Sequence, residues 1–117
     1  MHQLNSDYTG LPVELFLFEK IENGDASDKE FMLNFEIQLK VFLNDGPGQI
    51  KIHPMRNSYK RLLAHKIAAL YNFEHHVDRN DKCRIIITKT IKSAVPLVTL
   101  NEMKRMDTIE KRQMKKV

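Results

Sequence analysis

The sequence predicts a small α+β domain. It combines a three-stranded sheet, two helices packed on one face, an extra N-terminal helix and a basic C-terminal tail. Three observations carry that prediction. Residues 31–42 and 59–70 repeat apolar side chains at helical spacing. Residues 49–53, QIKIH, alternate as a half-buried strand does. Residues 83–90, CRIIITKT, gather the β-branched types that favour strands, just after FEHHVD and the turn RNDK. A chain of 117 residues suits one layer of each kind around one core.

The elements follow in order. LPVELFLFEKIENG predicts a short helix, with Pro12 suited to a first turn and Asn23-Gly24 to a stop. SDKE, Ser27 to Glu30, has the form of a capping box, in which Ser27 accepts from the Glu30 amide. The stripe Phe31, Phe35, Leu39 and Phe42 follows, flanked by Met32 and Val41, and NDGPG ends that helix. Ile50 and Ile52 share one side of the short strand, and Pro54 breaks it. In SYKRLLAHKIAALY, Tyr59, Leu63, Ile67 and Leu70 fall within about 80° of one another and predict the core face. Arg61 and His65 fall on nearly the opposite side, beside Ala64 and Ala68. FEHHVD and CRIIITKT predict an antiparallel hairpin. The bounds drawn from this pattern are 1–27 for an N-terminal extension with its short helix, 28–95 for the main folded unit and 96–117 for the tail.

Charge is unevenly spread. Residues 1–45 hold three Lys/Arg against nine Asp/Glu, net −6. Residues 56–92 hold nine against three, net +6. Such asymmetry suits a basic half that meets a polyanion. There is no run of eighteen apolar residues, so no membrane span is expected. The opening MHQLNSDYTG lacks the basic-then-apolar order of a secretory signal, and the single Cys83 can form no internal disulfide. A cytoplasmic or nuclear setting is the expectation.

Enzymatic signatures are missing from the sequence: no Walker loop, no GxSxG, no zinc pattern, and no nucleophile or carboxylate paired with His65. No cofactor is expected. His75-His76 offers two adjacent imidazoles, but on a strand they point to opposite faces and no second cysteine completes a metal site. His75 is therefore expected to be a packed or hydrogen-bonded residue of the sheet.

HPMRNSYKRLLAHKIAALYNFEHHVDRNDKCRIIITKT resembles the R-3-H domain, named for an arginine and a histidine three residues apart, here Arg61 and His65. Pro54-Met55, Ser58-Tyr59, HKIAALYNFEHHVD and IIITKT, which contains Lys89, look like successive blocks of that family. The helix FMLNFEIQLKVFL resembles the segment that precedes the domain in its eukaryotic cytoplasmic members, which are often followed by a SUZ domain. The resemblance covers about residues 28–100. It implies a three-stranded sheet with two helices on one side, binding of single-stranded DNA or RNA, and an exposed Arg61/His65 pair.

Physical chemistry makes such a pair suitable. A guanidinium forks onto phosphate or stacks on a base. An imidazole near its ordinary pKa can donate to phosphate or stack. The flanking alanines would leave room for a nucleic-acid backbone. Free amides at Asn57-Ser58 attract anions, and Arg56 and Lys60 lie at the same end. The expected nucleic-acid contacts are Arg61, His65, Arg56, Ser58, Lys60 and Lys89. Lysines such as Lys60, Lys66, Lys89 and Lys92 are more often solvated surface than phosphate contacts, and Lys89 is favoured among them because its block matches the family. The expected function is non-catalytic binding of single-stranded nucleic acid, RNA favoured over DNA. The competing reading is a protein-interaction or dimerisation module that uses the first long helix or the Met-rich tail (Met103, Met106, Met114).

Overall fold

The computed structural model describes residues 12–104. Helix α1 spans Val13–Asn23 and α2 spans Ala26–Asp45. Strand β1 is Gln49–Lys51, α3 is Ser58–Leu70, β2 is Glu74–Asp78 and β3 is Asp81–Thr88. The α+β class, the three-stranded sheet and the N-terminal helix agree with the sequence pattern. All pairing is antiparallel, in the order β1-β3-β2, with Ile50 opposite Ile87 and His75 opposite the same residue.

Side-chain alternation divides the sheet. Ile85 and Ile87 are fully buried and point to the helices, together with Ile50 and His75. Lys51 and His76 flank Ile86 on the far face, where both are exposed. Helix α3 lies on the inner face against β2 and β3, and α1 and α2 pack on α3. Phe42 of α2 meets Phe73, just before β2, with ring centroids 5.2 Å apart.

Because α3 lies between two layers, it buries more than one stripe. Leu63, Ala64, Lys66, Ile67, Ala68 and Leu70 are all buried, an arc of about 200° around the helix. Tyr59 is the exception to the expected stripe. It sits in the first turn, next to Lys20 of α1, and remains exposed.

Helix α2 starts differently from the expectation. Its cap is Asp25, whose Oδ1 accepts from the Asp28 amide at 2.8 Å. Ser27 lies inside the first turn and accepts instead from Lys60 Nζ at 3.4 Å. Val41, expected beside the core, is exposed, and Glu36 takes a buried place. Gly24 and Gly46 end α1 and α2. A Cβ at either position would run into the carbonyl oxygen four residues back, of Lys20 or of Phe42.

The core extends beyond both bounds of the 28–95 span. Val13, Leu17 and Ile21 enter from α1, and Leu100 and Met103 from the other end. A helical stretch begins at Leu100. Thr99 and Glu102 cap it reciprocally: the Glu102 amide donates to Thr99 Oγ1, and the Thr99 amide donates to Glu102 Oε1. The buried carboxylate of Glu36 accepts from the amides of Leu100 (2.7 Å) and Asn101 (3.1 Å). Of the three tail methionines, Met103 is core, while Met106 and Met114 lie outside the described residues.

Candidate nucleic-acid interface

The Arg61/His65 pair sits where α3 meets the β2–β3 hairpin, just past the edge of the buried arc. Both residues are half-buried, not fully exposed as the family resemblance implied. Ala64 and Ala68 do not clear space for a ligand. They are completely buried, and their small size lets α3 approach the sheet closely.

Arg61 joins three elements. Its Nη1 donates to the Met55 carbonyl at 2.6 Å and lies 3.6 Å from Cys83 Sγ on β3. Among the described residues these two contacts use one nitrogen, which leaves the Nε/Nη2 edge of the guanidinium for an incoming group. The tie to Met55 also fixes the loop that leads into α3.

His65 is paired with His75, as expected for a hydrogen-bonded sheet residue. Their Nδ1 atoms are 2.8 Å apart and their ring centroids 4.9 Å apart. One nitrogen must donate and the other accept, so the contact requires at least one neutral ring. Burial, then the neighbouring His75 and Arg61, bring the His65 pKa down to about 4. Burial, then His76 and Lys66, also lower that of His75. His65 is therefore neutral at pH 7 and offers a hydrogen bond or a ring face, not the positive charge that an ordinary imidazole could supply.

The remaining expected contacts are distributed unevenly. Arg56 and Ser58 are exposed at the start of α3. Asn57 caps that helix by accepting from the Lys60 amide at 3.0 Å. Lys60 turns toward α2, where its ammonium lies 5.8 Å from the Phe31 ring. Lys89 is at the other end of β3, about 20 Å along the strand from Cys83. Its ammonium donates to the Gly46 carbonyl at 2.7 Å and lies over Phe42 at 5.1 Å. It thus caps the C-terminal end of α2, and the structure does not bring it to Arg61.

Arg61, His65 and Ala69 follow one another at four-residue steps along α3, and Ala69 and His75 line a cavity of about 450 Å³ together with Asn72, Thr90 and Lys92, among others. The geometry is a shallow track with a fixed guanidinium, a neutral histidine pair and a mixed polar end.

The family model of the R-3-H domain matches residues 30–89, just over half of the chain. The chain belongs to that family of nucleic-acid-binding domains. It is 33% identical over 91 residues to the RNA-binding suppressor of PAS kinase protein 1 of Saccharomyces cerevisiae, covering 76% of this chain and 19% of that protein. It is 26% identical over 103 residues to Protein encore of Drosophila melanogaster, covering 87% of this chain and 6% of that protein. The chain therefore spans a small part of each relative's length. Among the described residues, no helix is long and apolar enough to cross a membrane.

Proposed function

We propose that the domain binds single-stranded nucleic acid without catalysing a reaction, and favours RNA over DNA. The observation that carries this reading is the Arg61 guanidinium, fixed by one nitrogen to Met55 and Cys83 with its other edge available, beside a neutral His65. A forked donor held in place loses little entropy when it takes up a phosphate. Exposed Arg56 and Ser58 at the start of α3 add charge and amide donors at the same end. Family membership supports nucleic acid as the ligand, and the RNA-binding suppressor supports RNA as the preferred kind. A cytoplasmic site of action goes with that preference.

The test is a titration of labelled single-stranded RNA and DNA oligomers against wild type, Arg61→Ala and His65→Ala at several salt concentrations. Arg61→Ala is expected to weaken binding about tenfold and to lower the salt slope by about 0.7, the value for one phosphate. His65→Ala is expected to weaken binding with little change in slope, because the ring is neutral. Unchanged affinity in both variants, with native circular dichroism, would remove the site from this surface. Equal affinity for RNA and DNA would remove the stated preference.

A further inference from the structure

The Thr90–Ser93 turn is unusually well fixed for a surface loop. Ser93 Oγ donates to the Asn72 carbonyl at 3.0 Å and accepts from the Thr90 amide at 2.8 Å. The Lys92 amide donates to Thr90 Oγ1 at 3.1 Å. The Ala94 amide donates to the Tyr71 carbonyl at 3.0 Å, and Asn72 holds a positive φ of 58° to make the corner at the end of α3. This bonding presents two side chains outward. Ile91 is fully exposed, at 103% of its reference area, and Lys92 is exposed beside it. Folding accounts for the turn but not for either side chain.

Both residues line the cavity of about 450 Å³ that also contains His75, the partner of His65. The turn therefore belongs to the same track as Arg61. From Arg61 to Asn72 the track runs along α3 for about 16 Å. The cavity's volume falls in the ~300–1,000 Å³ range of small-ligand sites. Its lining suits a base: Ile91 as an apolar surface, Asn72 and Glu74 as polar groups, Thr90 as a hydroxyl. A larger cavity of about 470 Å³, between α1 and residues 96–103, has no cation in its lining among the described residues.

We infer that the Thr90–Ser93 turn is a second anchor for the nucleic-acid strand, with Lys92 on a phosphate and Ile91 against the face of a base seated in the cavity beside His75. This rests on the proposed nucleic-acid binding and adds the far end of the strand's path. Fixing the turn beforehand reduces the ordering cost of the contact. Glu74, exposed at the start of β2, also lines the cavity, can accept from an exocyclic amine and would repel a phosphate at its end. The phosphate is thus kept on the Lys92 side.

The experiment uses the full chain and single-stranded RNA of about ten nucleotides, with an abasic strand of equal length, over a salt series. The variants are Lys92→Ala, Ile91→Ala, Arg61→Ala and, as a charge control on the far face of the sheet, Lys51→Ala. Lys92→Ala is expected to weaken binding several-fold and lower the salt slope by about 0.7, while Lys51→Ala leaves the slope unchanged. Ile91→Ala is expected to weaken the base-bearing strand about fivefold and the abasic strand hardly at all. An equal slope change in Lys51→Ala and Lys92→Ala, or an Ile91→Ala loss shared by both strands, would overturn the anchor even if Arg61→Ala weakens binding. Failure of the wild type to bind either strand at low salt would overturn the anchor together with the underlying reading.

Discussion

Acid should loosen the contact between His65 and His75, and the size of the effect follows from its geometry. With Nδ1 atoms 2.8 Å apart, two protonated rings would place donor against donor. The fall of the His65 pKa from 6.5 to about 4 corresponds to about 3 kcal/mol, at ~1.36 kcal/mol per pH unit. His65 is only half-buried, so solvent screening reduces this to about 1–2 kcal/mol. The lowered value means that the folded chain resists the proton. The contribution is whole above about pH 6.5 and is lost as pH falls toward about 4. Arg61 lies near His65, Lys66 lies near His75, and His76 follows His75 on the other face of β2, so a second charge is disfavoured there. Urea unfolding at about pH 7.5 and about pH 4.5 should show wild type losing about 1–2 kcal/mol more than the His65→Gln/His75→Gln double variant. Carboxylates elsewhere titrate equally in both proteins and cancel in the comparison. An identical acid loss in both would refute the pairing argument.

Three further outcomes are expected. Glu36→Ala should destabilise by about 2–4 kcal/mol in urea unfolding, because the buried Leu100 amide and the part-buried Asn101 amide lose their carboxylate acceptor. Asp25→Ala should lower stability by about 1 kcal/mol and Ser27→Ala by under about 0.5 kcal/mol, a contrast that thermal melting can resolve and that reverses if Ser27 is the true cap. Lys89→Ala should lower the melting temperature through loss of its bond to Gly46, yet leave the salt slope of nucleic-acid binding unchanged.

Much of the architecture is legible in the sequence because its signals are local. The stripe Phe35, Leu39 and Phe42 and the β-branched run Ile85 to Thr88 each declare their element without help from distant residues. The antiparallel direction of β1 is not legible, since it depends on pairing Ile50 with Ile87 across a whole helix. The cap of α2 lies two residues before the expected Ser27. Asp25 and Ser27 are both competent caps, and the bend after Gly24 decides between them. The phase of α3 misleads for a different reason. One apolar stripe suggests one buried side, whereas a helix between two layers has two. Ala64 and Ala68 are the available sign of the second side, since small residues in a helix mark a close neighbour. The Arg61 and His65 positions are thus readable, but their ties to Met55, Cys83 and His75 belong to tertiary geometry.

The Glu36 carboxylate has a bearing on how the chain comes off the ribosome. Its partner amides lie 64 and 65 residues downstream. Helix α2 is synthesised early and brings Lys40 within 3.9 Å of Glu36 Oε1, yet the two backbone donors to this acid arrive only after almost the whole domain has emerged. Until then, a polar group with only its Lys40 neighbour faces an unfinished apolar layer, and closing that layer means transferring it from water without its backbone donors. The last-made residues of the core thus act as a latch. Premature closure is discouraged, and contacts of such long sequence separation form slowly.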